Sequence, residues 1–181
     1  MLLKCIFSIN SSKFLGMENN EQKQVTEEIQ EIDPIHDIAL SISQRSKTEE
    51  DGIQAKCHCE DILRKNDWLL ETNVLSDFLN HQGTLNSFEV SVDDSIENRV
   101  GQLVEMMKEK TSEYGMITDI IVQFLISKEC AFRLEEVVPL GDWLQSTPHA
   151  NDDTNVRWWI SYDEKRNHQV SAIVLAMHEP R

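Results

Sequence analysis

Cys57, His58 and Cys59 are the residues of this sequence best suited by type to hold a metal. Thiolate and imidazole are the ligands zinc prefers. Their spacing works against them, because structural sites set two or more residues between paired ligands so that the chain can wrap the ion. Cys130 stands far away, and His36, His81, His149, His168 and His178 are scattered. The expectation is a chance pair of thiols at the entry to a helix, with no metal bound and no cofactor.

Acid–base chemistry has adjacent carboxylates to draw on in Asp93-Asp94, Glu135-Glu136 and Asp152-Asp153. A catalytic pair must converge across a cleft, whereas sequence neighbours diverge into solvent. These read as caps and surface charge, and no catalytic residue is singled out. Glycine is scarce, with 6 residues, which disfavours a phosphate-cradling loop. No Gly-x-Ser-x-Gly elbow, His-Glu-x-x-His or Pro-Cys-x-x-Cys is present.

Binding chemistry has two better candidates. Asp33-Pro34 starts a short helix over 34–43, with Asp as cap and Pro at the first helical position. It places Ile35, Ile38 and Ile42 on one face, and the expectation is that this face docks in a partner's groove. Trp159, between Arg157 and Ser161, has the setting of an aromatic interface anchor. The competing expectation is that helices from 61–80 bury it.

These residues need elements to position them. Residues 1–59 are expected to form a mostly disordered acidic tail, interrupted by the 34–43 helix. No aromatic residue lies between Phe14 and Trp68, so there is little apolar area to offset ordering entropy. A single α+β domain is expected over 60–178. Residues 61–80 read as two short helices or one bent one. Phe88, Val90 and Val92 alternate with polar residues as a half-buried strand over 88–92.

Two central amphipathic helices follow, over 95–114 and 116–127. The first carries Ile96, Val100, Leu103, Val104 and Met107 on one stripe, with Asp94 as cap and Gly115 as the left-handed residue that ends it. The second carries Ile117, Ile120, Ile121, Phe124 and Leu125 at helical spacing, with a strand as the competing reading. Cys130 to Val138 fits a short helix or a strand equally. The C-terminus gives two strands, over 156–162 and 169–177, expected to pair as a hairpin in a small, mostly antiparallel sheet.

Charge and length narrow the function. The 181 residues carry 32 acidic and 17 basic side chains, a formal charge of −15. No region has the excess Lys and Arg that phosphate contact needs, so neither nucleic acid nor an anionic membrane is an expected partner. No run of about 18 apolar residues is present, so no membrane span is expected. Four sparse cysteines point to free thiols in a reducing compartment. Lys4 interrupts the apolar start, so a cleaved signal is not expected, and Met17 is an alternative start. The leading expectation is a non-catalytic interaction subunit or adaptor, cytoplasmic or nuclear, with a protein partner. The alternative is an enzyme with an unrecognised site. The third is a small metal-binding regulator using Cys57, His58 and Cys59.

Overall fold

Val170 to Met177 is apolar at every position except Ser171, and this run forms an inner strand of the sheet. A computed structural model describes residues 34–64, 72–130, 132–146, 149–166 and 168–180. Its elements in chain order are α1 (Pro34–Arg45), α2 (Glu49–Arg64), α3 (Thr72–Asn80), β1 (Thr84–Asp93), α4 (Arg99–Thr111), β2 (Ile117–Ile126), α5 (Val138–Ser146), β3 (Asn155–Tyr162) and β4 (Gln169–His178). A single 3₁₀ turn, Leu134–Val137, leads into α5. The four strands form one mixed sheet in the order β1-β4-β2-β3, so the α+β class holds.

β4 pairs antiparallel with both β1 and β2, and β2 pairs parallel with β3. The parallel pair requires a crossover, which the 3₁₀ turn and α5 supply. The second element of the central stretch is therefore a strand, not the expected 116–127 helix. Ile120-Ile121-Val122 is β-branched, and β2 is covered on both faces, so its apolar positions run almost without a break. The expected C-terminal hairpin is also corrected, since β2 lies between β3 and β4.

Each face of the sheet has its own core. On one face Phe88, Val90, Ile120, Val122, Phe124, Val170, Ala172 and Val174 pack against Leu103, Val104 and Met107 of α4 and Leu140 and Trp143 of α5. On the other Leu85, Ile121, Leu125, Ile173, Leu175 and Met177 meet Ile38 and Ile42 of α1, Ile62 of α2, and Leu75, Phe78 and Leu79 of α3. The register slips at Thr118, between the pairs Ile117–His178 and Asp119–Met177. That bulge puts Ile117 on the α4–α5 face and Asp119 on the other, two residues apart.

The N-terminal helices belong to this fold. Residues 34–59, expected in a tail, form α1 and most of α2, with Ile38, Ile42, Ala55 and Cys59 buried. α2 begins at a reciprocal cap, Thr48 Oγ1 accepting from the Asp51 amide at 3.1 Å and Asp51 Oδ2 accepting from the Thr48 amide at 3.2 Å. Glu49, Glu50 and Asp51 sit in its first turn and Arg64 in its last, as the helix dipole favours. The tail expected over 1–33 lies outside the described residues.

α4 is shorter than 95–114. Asn98 precedes it, and Asp93 instead binds the amide and hydroxyl of Ser95. Gly115 does not take the expected left-handed conformation. It is needed for space, because a Cβ there would collide with the Glu179 carbonyl. Among the described residues no helix is long and apolar enough to cross a membrane.

Candidate functional site

The α1–α3 face of the sheet is apolar at one end and polar at the other. β1, β2 and β3 all run antiparallel to β4, so their carboxyl ends lie together. The polar side chains gather toward that end, where open α/β sheets commonly hold ligands. β1 contributes Ser87, Glu89 and Ser91, β2 Gln123, β3 Trp159 and Ser161, and β4 Ser171. The turn after β3 adds Asp163 and Arg166.

Most of these groups satisfy one another. Arg166 pairs with Glu89, reaches Asp163 at 3.2 Å and donates to Ser171 Oγ at 3.2 Å. Ser91 and Ser171 share a hydrogen bond of 2.9 Å. Gln123 Nε2 donates to Ser161 Oγ at 2.9 Å. Two atoms are left over. Gln123 Oε1 and Trp159 Nε1 are buried and make no hydrogen bond to another described residue. Gln123 and Trp159 are direct partners across the β2–β3 ladder and point to the same face.

His58 borders the same cluster. Its Nδ1 lies 2.9 Å from Ser87 Oγ, which ties α2 to β1. Burial pushes the imidazole below its ordinary pKa, against the opposing charges of Glu89 and Asp61. A hydroxyl beside a neutral imidazole has the composition of a nucleophile–base pair. The histidine belongs to α2 itself and is only 8% exposed.

A second polar group anchors α3. His81 Nδ1 lies 2.8 Å from Asp119 Oδ1, and Arg157 binds Asp77 at 2.7 Å while standing 4.0 Å from Asp119. Asp119 is buried, and a buried polar side chain is costly without partners of this kind. On the other face Arg99 clamps Glu136 with bonds of 2.7 and 2.9 Å and reaches Cys130 Sγ at 2.8 Å. This bidentate pair holds the Glu136 carboxyl below its usual pKa. Between α4 and α5 lies an open groove of about 520 Å³, lined by Gly101, Met106, Pro139 and Trp143 among others.

β3 is the exposed margin of the sheet. It pairs along its length with β2 and, among the described residues, has no strand on its other side. Val156, Trp158 and Ile160 are half-buried against the α4–α5 core, and Trp159 against the α1–α3 core. Tyr162 is 44% exposed.

The residues singled out in the sequence come out differently. Ile38 and Ile42 are buried in this chain's own core and are not a free docking face. A narrow apolar stripe looks the same whether a partner or the chain's own sheet covers it. Ile35 lies on α1, with its side chain outside the described ones. Trp159 is partly buried and packs against the α1–α3 core at the β3 edge. Cys57 is exposed and Cys59 buried on the same helix, so the two thiols point apart. Burial and the neighbouring Glu60 charge push the Cys59 thiol up to about 12. No group of three His, Cys, Asp or Glu side chains among the described residues is placed to hold a metal. Sequence reasoning missed Gln123, the one amide inside an apolar strand run.

No family model matches the sequence, and no curated protein matches it. Solved structures do match in shape. A tryptophan-to-tyrosine mutant of FtsZ from M. jannaschii aligns with a TM-score of 0.51 at 13% identity, over 73% of this chain and 42% of that one. An empty FtsZ dimer from the same organism gives 0.46 at 16% identity, over 57% and 29%. CetZ2 from Haloferax volcanii, a GTPγS-bound protofilament, gives 0.46 at 12%, over 75% and 42%. The chain thus spans less than half the length of each of these structures. At such identities the likeness to the FtsZ mutant is one of fold alone.

Proposed function

We propose that this domain is a non-catalytic interaction subunit that takes up an extended segment of a protein partner along β3. The observation that supports this is the composition of the open edge. Natural sheets blunt exposed edges with proline, lysine or a covering element. β3 reads Asn-Val-Arg-Trp-Trp-Ile-Ser-Tyr, eight residues with one charge and no proline. The opposite edge, β1, carries Glu89 and Asp93 and lies against α2 and α4. Strand addition would satisfy the outward amides and carbonyls of β3 and cover Trp158, Trp159 and Tyr162.

The enzyme alternative draws on the His58–Ser87 pair, and its burial between α2 and β1 favours a structural tie instead. The test is site-specific photo-crosslinking of the full chain in its native cells, with p-benzoylphenylalanine at position 162. The expected result is one discrete crosslinked partner from that position and none from position 40, an exposed site on α1. Equal crosslinking from both positions, or none from 162, counts against the reading.

A further inference from the structure

We propose that the groove between α4 and α5 is a second docking site, and that its occupant is a basic amphipathic helix of a partner protein. The groove has room and is open to solvent. Its main hollow, of about 520 Å³, continues past Asn98 and Pro139 into a neighbouring one of about 410 Å³ beside the 3₁₀ turn. Val104, Met106, Pro139 and Trp143 give the larger hollow its apolar lining. Met106 is 37% exposed, so part of that apolar surface meets water.

Charge selects the occupant. Asp142 lines the larger hollow, and Glu97 and Glu135 line the smaller. Two cations of the lining are already taken, Lys108 by Glu105 and Arg99 by Glu136. That leaves Arg133 against three carboxylates, on a chain whose formal charge is −15. An anionic segment is repelled there, and Lys or Arg beside an apolar stripe is the complement. The walls select the conformation. α4 and α5 bond their own backbones, so an extended segment finds no strand edge between them to pair with. A helix brings its backbone already bonded and lays one apolar face into the groove. No residue of β3 lines this groove, so the proposal and the strand-addition reading fail separately.

The test is fluorescence anisotropy of a labelled synthetic peptide titrated with the full chain at about 0.15 M salt. The peptide has about 18 residues, enough to hold a helix, with leucine at i, i+3, i+4 and i+7 and lysine elsewhere. A peptide of the same composition, with its leucines spread evenly round the helix, controls for charge. The expected result is saturable binding of the amphipathic peptide and an affinity at least tenfold weaker for the control. Asp142→Asn combined with Glu135→Gln should weaken binding at least tenfold. Glu49→Gln combined with Glu50→Gln removes the same charge from exposed positions on α2 and should change it less than twofold. Met106→Gln alters no charge and should weaken it at least threefold. All five residues are exposed, so every variant should keep a cooperative melt. Absence of saturable binding overturns the proposal. Equal losses from the two charge pairs, or equal affinity for the two peptides, also overturn it, because diffuse attraction to an acidic chain then suffices. Loss of binding in Tyr162→Lys, with the groove variants unaffected, overturns it as well and moves the peptide to β3.

Discussion

Arg99 and Glu136 show how a residue pair far apart in sequence fixes local structure. Arg99 opens α4 and Glu136 lies in the turn before α5, and their side chains are largely shielded from water. Glu136 Oε1 also accepts from the Arg133 amide at 3.0 Å, so one carboxylate caps a turn and anchors a helix. Its folded pKa is lowered, first by the hydrogen bond from Arg99. A lowered carboxyl pKa means that the folded state holds the proton less tightly than the unfolded chain. The stabilisation is therefore present above the unfolded value, about 4.3, and is lost as pH falls through the folded one. Glu136→Gln should cost about 1.5–3 kcal/mol near neutrality, the usual worth of a charge-assisted hydrogen bond. Urea unfolding at a series of pH values checks this. The gap between wild type and variant should be flat above pH about 5 and close in acid. A gap that persists at pH about 2 would assign the loss to packing instead. The pair was not legible in the sequence, where Glu135-Glu136 reads as surface charge. Only the fold tells which of two adjacent carboxylates faces an arginine.

At the scale of elements, legibility depended on how each one is covered. β1 and β3 have two different faces, and alternation marks them clearly. β2 has two buried faces, so apolar residues fill helical and strand templates alike. Two of its polar residues deepen the confusion, because Asp119 and Gln123 stand four apart, as on one side of a helix. In the strand they share a face, where His81 meets one and Ser161 the other. Once β2 is read as a helix, its place between β3 and β4 is invisible, and a hairpin becomes the simplest pairing. α1 and α2 were underrated for a different reason. Their polar composition suits a solvated tail, and the few apolar side chains that matter are spent entirely on the sheet. Ile42 is fully enclosed, and Ile42→Ala should destabilise the domain by about 2–5 kcal/mol. Truncation to residues 60–181 should be more damaging still. It would strip α1 and most of α2 from Ile173, Leu175 and Met177 and leave that face open. The expected outcome is a chain that binds a hydrophobic dye and lacks a cooperative melt. A sharp transition in that fragment would restore the domain boundary first expected near residue 60.

For the whole molecule the question is what opposes the pairing of an unblunted edge strand with another copy of itself. Shape does not oppose it, since β3 is eight residues long and carries two partly buried tryptophans. Charge does. A net charge of −15 sets copies repelling one another as they approach. That repulsion acts through solvent and is screened within about 10 Å at 0.1 M salt and about 3 Å at 1 M. The hydrogen bonds and apolar contacts of an added strand are much less sensitive to salt. Self-association should therefore rise with ionic strength, the reverse of an interaction held by ion pairs. Sedimentation velocity should find a monomer in dilute buffer and reversible oligomers in 1 M NaCl. Tyr162→Lys places a charge on the exposed end of β3 and should suppress the oligomers without changing the melting temperature by more than a degree or two. Leu134, 66% exposed beside α5, supplies the control, and Leu134→Lys should leave the association intact. If Leu134→Lys abolishes it while Tyr162→Lys does not, the adhesive surface lies beside α5 and β3 is not the edge through which this domain meets other chains.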